Sequence, residues 1–260
     1  MWTFIVRRLL QSVIVILGVT LISFISLQMG GDPTFLFVSE RASEEEIQMI
    51  REALGFDKPL HIQYLTYLMN VAQGDFGNSL SYRQPAMGIV LGALPATIEF
   101  TLCSMYLAIS LAIPFGVFAA LYRGTAVDGG IMTLAMFGQS IPSFWMGIMM
   151  ILFFGLYLSW FPISGHVPFL KPLFQGDFVT AFGNLPSSIY HLMMPAVAVG
   201  FYSLSRNARL VRSSMLEVLG QDYVRTARSK GISERAVVIN HALRNAWLPV
   251  VTMIGLEFGF

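Results

Sequence analysis

The chain has 260 residues, 55% of them hydrophobic and only 12% charged, with a formal net charge of +1. A soluble domain carries about 25% charged residues, so this balance excludes a water-exposed globule and points to an integral membrane protein. The single cysteine, Cys103, excludes an intrachain disulfide, and the sequence contains no zinc-type Cys/His cluster.

The first element follows Arg7-Arg8 and runs from Leu9 to Met29. It is too long for a signal-peptide core, and no small-residue cleavage site follows it directly, so it reads as a spanning helix that stays. The polar stretch from Gly30 to Ala93 carries helix punctuation. "SEEEIQMIREALG" opens with Ser43 and places Glu46 three residues on, the capping-box spacing. Ile47, Ile50 and Leu54 share a face, and Gly55 stands where a helix ends. "KPLHIQYLTYLMNVAQG" puts Pro59 in a first-turn position and sets Leu60, Tyr64, Leu65, Leu68 and Ala72 on one face. Two short amphipathic helices are expected, either packed over the outer mouth of a bundle or capping lipid-exposed helix ends.

Leu94–Leu121 is a second span, with Glu99 near one end and Pro114 inside. Ile131–Leu158 is a third, free of acids and bases but interrupted by "GQSIPS". The stretch "SWFPISGHVPFLKPLFQGDFVTAFGNLPSS" is rich in Pro, Gly and Phe and reads as an irregular or half-inserted interfacial loop. Ile189–Leu204, with Pro195 inside, is a shorter fourth span that borrows residues on each side. Ala246–Phe260, apolar except for Glu257, is the fifth.

Charge orients these spans. Gly30–Ala93 has eight acidic residues against four basic ones, whereas Ser205–Asn245 has eight basic against three acidic. An N-terminus inside, five alternating crossings and an inner Ser205–Asn245 loop are mutually consistent. The expected fold class is all-α, a polytopic transmembrane helix bundle, organised as residues 1–93 (first span plus outer helices) and 94–260 (core with the inner loop 205–245).

The inner loop contains "DYVRTARSKGIS". Asp222 is a fair N-cap, Gly231 a natural stop, and Ser233 caps a second helix, "ERAVVINHALRNA". Arg225 and Arg228 fall on one face, and Tyr223 and Ala227 form an adjacent apolar strip. So short a helix is marginal alone in water and needs anionic lipid or another protein to pack against. Arg206, Arg209 and Arg212, spaced by three, read as orientation and headgroup contacts.

"SSMLEVLGQDYVRTARSKGISERAVVINHALRNAWLPVVT" resembles the inner loop of permease subunits of bacterial ABC importers of the dipeptide, oligopeptide and nickel class. "FIVRRLLQSV", "GDP" at Gly31–Pro33, "LGFDKPL", "QGDFGNS", "LPATIEF" and "SIPSFW" resemble the same class, in the same order along nearly the whole chain. The resemblance implies a type I importer permease in the bacterial inner membrane. A short cytoplasmic helix docks on a separate ATPase, and Asp222, Tyr223, Arg225, Thr226, Ala227, Arg228 and Gly231 are its coupling residues. The family pattern is Glu-Ala-Ala, three residues, Gly. Here it reads Arg225-Thr226-Ala227, Arg228-Ser229-Lys230, Gly231, and the downstream Leu-Pro of the pattern falls on Leu243-Arg244. The docking role is therefore carried over without a residue-level contact map.

The same resemblance implies a second homologous permease, two ATP-binding subunits and an external solute-binding protein, periplasmic or lipid-anchored. It also implies a sixth helix and a basic inner tail beyond Phe260, membrane lipid around the bundle and no nucleic acid. ATP and Mg²⁺ belong to the partner ATPase, and no cofactor or metal is expected on this chain. Independently, none of its three lysines follows a glycine, as a P-loop requires. Peptide is the first cargo implied, with nickel, metal chelate and glutathione open.

Polar positions within spans are candidates for a translocation path. Pro142 removes a helical hydrogen bond, so a kink there would present Gln139, Ser140, Ser143 and Trp145. Glu99 and Glu257 are the acids in spans, Glu257 the deeper. An ion-coupled secondary transporter would need midplane ion ligands and internal repeats, and no repeat is evident. An intramembrane enzyme lacks HExxH, a carboxylate partner for His191 in its span, and a serine set beside a base. A helix-turn-helix at Ser233–Trp247 is disfavoured by its place between two spans.

Overall fold

The computed structural model describes residues 2–38, 42–79 and 81–258. Glu40 and Arg41 of the acidic stretch, and Gly259 and Phe260 of the fifth predicted span, lie outside them. All repetitive structure among the described residues is helical, with one isolated antiparallel bridge between Asn78 and Pro85. The chain forms two compact units, Met1–Ala93 and Leu94–Phe260.

In the first unit, α1 (Trp2–Met29) is long and apolar enough to cross a membrane. A 3-10 turn over Pro33–Leu36 follows, with Asp32 capping it through Thr34 N. The two punctuated segments become α2 (Glu44–Leu54) and α3 (Leu60–Ala72). Ser43 accepts from Glu46 N at 3.3 Å, and Gly55 closes α2 in the left-handed region at φ 73°, as their spacing predicts. Pro59 lies at the N-cap of α3, one position before the expected first turn. α3 is tied to α1: Tyr64 donates its hydroxyl to Leu17 O at 3.0 Å, and Gln28 Nε2 donates to Gln63 Oε1 at 3.0 Å. Arg51 pairs with Asp32, joining α2 to the turn before it.

The boundary of the second unit falls within α4 (Ala86–Leu121), which starts before the predicted Leu94 because nothing in "MGIVLGA" breaks a helix. The predicted third span is two helices, α5 (Ala126–Ser140) and α6 (Ser143–Met150), the latter continuing as π-helical turns over Ile151–Tyr157. The bend between them is 101°. Pro142 has no N–H to donate, and Ile141 is extended, as the residue before a proline prefers. The expected kink is thus a full break.

The predicted interfacial loop is irregular only in its first half. α7 (Leu170–Phe174) interrupts it, and "FVTAFGNLPSS" is already the start of α8 (Phe178–Leu219), where the carboxylate of Asp177 accepts from Thr180 N at 3.0 Å. The fourth span is therefore the middle of a 42-residue helix, roughly 63 Å long at about 1.5 Å per residue. Pro186 and Pro195 lie within it.

α5, α6, α7 and α11 (Arg244–Glu257) all pack on α8. Small residues permit close approach, as at many membrane helix contacts. A Cβ on Gly116 of α4 would fall 2.5 Å from Val211 Cβ, and one on Gly200 would fall 2.9 Å from Ser104 O. The main core cluster joins Ala120, Val211, Met215, Val238, Ala242, Ala246 and Val250.

Two polar ties place loops at common ends of this unit. Arg212 near the end of α8 makes a bidentate pair with Asp128 at the start of α5, at 2.6 and 2.8 Å. Both segments are predicted to lie inside. Glu99 of α4, predicted near the outer end of its span, binds the loop before α7, which is predicted to lie outside.

Candidate functional site

Within the segment 205–245, predicted to lie inside, α8 runs on to Leu219. α9 spans Asp222–Ser229, and its N-cap is Gln221. Asp222 is thus the first helical residue, not the cap, where its charge still faces the positive end of the helix. Gly231 sits at φ 74° and donates to Arg228 O at 2.9 Å, the predicted stop. The second helix follows at Ser233 as α10 (Glu234–Ala236), widens into π-helical turns over Val237–Leu243, and continues as α11.

What seats α9 is a small apolar cluster. Val224 is fully buried and Ala227 nearly so, against Val237, with Val218, Leu219 and Ile232 around them. Ala227 therefore faces the chain itself. Tyr223 keeps a half-exposed ring, and its hydroxyl accepts from Asn245 Nδ2 at 2.9 Å.

The two arginines have different surroundings. Arg228 makes a bidentate pair with Glu234, at 3.0 and 2.6 Å, and so closes the loop around Gly231. That hydrogen bonding holds the Glu234 carboxyl below its ordinary range and raises the Arg228 guanidinium. Arg225 is 80% exposed, with only a 3.7 Å contact to the 94% exposed Asp222. Thr226 and Ser229 turn their hydroxyls back to Asp222 O and Arg225 O, at 2.9 and 3.0 Å. The outward surface of α9 is thus Asp222, Arg225, Thr226 and Ser229, with Lys230 beyond.

The predicted path residues fall at three places. Gln139, Ser140, Ser143 and Trp145 flank the α5–α6 break; Gln139 is half-buried, the other three are exposed, and Ser140 donates to Met136 O at 2.9 Å. The break lies close to α8, since a Cβ on Gly138 would fall 2.0 Å from Ser205 Oγ. Glu99 is buried and committed to the loop before α7. Its Oε1 accepts from Phe169 N at 2.9 Å and Leu170 N at 2.5 Å, and its Oε2 meets His166 Nε2 at 2.9 Å and Ser188 Oγ at 3.3 Å. Glu257, near the end of α11, accepts from Ser203 Oγ and from Asn207 Nδ2, the latter at 2.9 Å.

Sequence reading missed Ser203, Asn207, Ser104 and His166, and it assigned Arg206 to orientation and headgroup contacts. The polar run "SLSRNAR" at the end of the fourth span was the available signal. No group of three or more metal-ligating side chains occurs among the described residues.

Comparison with known proteins follows from this geometry. Residues 112–260 match a family described as "Binding-protein-dependent transport system inner membrane component", and residues 1–112 match the corresponding N-terminal family. The chain is 42% identical to the di/tripeptide transport system permease protein DppB of Pseudomonas aeruginosa, covering all of this chain and 80% of that protein. It is 40% identical to the dipeptide transport system permease protein DppB of Escherichia coli, with the same coverage. It is 38% identical to the oligopeptide transport system permease protein AppB of Bacillus subtilis, over 98% of this chain and 78% of that one.

Proposed function

We propose, from the premise that this chain belongs to the family of binding-protein-dependent transport system inner membrane components, that it forms half of the passage of an ATP-driven peptide importer. The chain is a transport permease subunit of the inner membrane and not an enzyme. Peptide as cargo is supported by the names of its relatives, which transport dipeptides, di/tripeptides or oligopeptides. The other half is a second, related permease. Two ATPase subunits bind ATP and Mg²⁺ and hydrolyse the nucleotide, and an external binding protein delivers the cargo.

The observation that carries this reading is the construction of α9. Val224 and Ala227 fix it to its own bundle while Asp222, Arg225, Thr226 and Ser229 point away. A helix anchored on one side and polar on the other transmits a push from a docked partner to α8 and α11. The Arg228–Glu234 pair and the Tyr223–Asn245 bond make the loop a rigid handle. With five crossings and the N-terminus inside, as the charge bias predicts, this handle lies in the cytoplasm. The Asp128–Arg212 pair supports that topology, because it unites two segments that alternation puts on the inner side.

The test is reconstitution of the permease pair with its ATPases and binding protein in proteoliposomes. Uptake of radiolabelled Ala-Ala that requires ATP on the α9 side is the expected result. Uptake driven by an ion gradient without ATP refutes the reading.

A further inference from the structure

Glu257 is only partly satisfied. Its Oε2 accepts from Ser203 and Asn207, but its Oε1 is buried and has no hydrogen-bond partner among the described residues. The guanidinium of Arg206 forms a loose ion pair with that oxygen at 4.0 Å, too long for a hydrogen bond. Arg206 is itself 44% exposed, and its hydrogen bonding among the described residues is a 3.7 Å contact to the thioether of Met253. An acid short of a donor thus stands beside a base short of an oxygen acceptor. Both lie on the wall of one cavity of about 470 Å³, with Phe100, Thr101, Met105 and Tyr202, within the size range of small-ligand sites. On the α4 wall Ser104 is 6% exposed, and its hydroxyl too is buried without a hydrogen-bond partner among the described residues.

A buried oxygen left without a donor is costly, and its demand specifies what relieves it. A neutral apolar solute leaves the oxygen unpaired. A metal ion would find one carboxylate, and no cluster of ligating side chains occurs among the described residues. A primary ammonium supplies three donors, and its approach requires the loosely held Arg206 to swing aside, which frees the guanidinium for a carboxylate. Resting on the peptide reading above, we propose that Glu257 and Arg206 form a station for zwitterionic cargo. The α-ammonium binds Glu257 Oε1 and the α-carboxylate binds Arg206, while Phe100, Met105 and Tyr202 offer an undemanding apolar wall for variable side chains. Such a station reads the termini that short peptides share and ignores sequence. Because a hydrogen bond to a charged group is among the stronger ones and each end of the zwitterion makes one, blocking either terminus weakens occupancy about tenfold or more.

The experiment uses the assembled importer in proteoliposomes without its binding protein. Thr101→Cys in a Cys103→Ser background is labelled by a maleimide, and protection is titrated with Ala-Ala, N-acetyl-Ala-Ala and Ala-Ala amide. Ala-Ala is expected to protect at concentrations at least tenfold below both blocked forms. Glu257→Gln is expected to abolish discrimination against the acetyl form, and Arg206→Gln discrimination against the amide. Equal protection by all three, or none by Ala-Ala, overturns the station. Uptake of Ala-Ala by the unsubstituted importer in parallel vesicles separates that outcome from failure of the peptide reading, which is refuted only if that uptake is absent. The comparison of the three ligands needs no substitution at Glu257 or Arg206, so poor folding of either variant leaves the test intact.

Discussion

Removing two carbons beneath α9 should unseat it. Val224→Ala acts on a fully buried side chain in the three-residue cluster that holds α9 to its bundle. The lost transfer free energy is about 1.6 kcal/mol at ~0.8 kcal/mol per methylene, and the residual cavity brings the cost to about 2 kcal/mol. α9 has eight residues, too few to hold a helix by propensity alone, so the loss falls on the equilibrium between seated and unseated α9. An energy of about 2 kcal/mol lowers that ratio roughly 30-fold. Amide hydrogen exchange of residues 222–231 in the purified permease pair reads it directly, because protection reports local opening. Protection should fall about 30-fold there and stay unchanged in the α8 core around Val211. Protection in α9 within twofold of the unsubstituted protein refutes the claim that this cluster seats the helix.

Arg225 and Arg228 should separate by assay. Arg225→Glu is expected to weaken co-purification of the ATPase with no change in α9 exchange, whereas Arg228→Glu should loosen the loop as well, and Glu234→Arg in that background should restore the exchange pattern. The pH dependence follows from the same pair: the Glu234 carboxyl titrates below its ordinary value of 4.5 in the folded loop, so its contribution is fully present above that value and is lost as pH falls through the lowered one. Exchange in 222–236, corrected for its intrinsic pH dependence, should be flat from pH 8 to 5 and rise as the pH falls below 4.5, and Glu234→Gln should remove the step. Glu99→Ala leaves the N–H groups of Phe169 and Leu170 without their acceptor, at about 1 kcal/mol or more each. Limited proteolysis from outside should then cut within 158–177 faster, with Glu99→Gln intermediate.

Local signals were readable and distant ones were not. Ser43, Gly55 and Gly231 set caps and stops through their own backbone or side-chain chemistry, so three or four neighbouring residues sufficed to place them. The length of α8 escaped because hydropathy marks only the apolar stretch of a helix, and the polar run after Leu204 continues the same helix without a breaker. The break at Ile141-Pro142 was visible as a proline, but its 101° angle depends on packing against α8. Arg225 and Arg228 are chemically identical in sequence. Only the Gly231 turn, which brings Glu234 back six residues to Arg228, tells them apart. The partners of Glu257 lie 54 and 50 residues away in Ser203 and Asn207, a separation that no spacing rule reaches.

The sidedness of α9 is the point on which the whole account stands. Arg225→Cys in a Cys103→Ser background, treated with a membrane-impermeant maleimide, measures it directly. Labelling only after the membrane is permeabilised, with protection when the ATPase is co-expressed, is the predicted result. Labelling of intact cells from the outside contradicts the account.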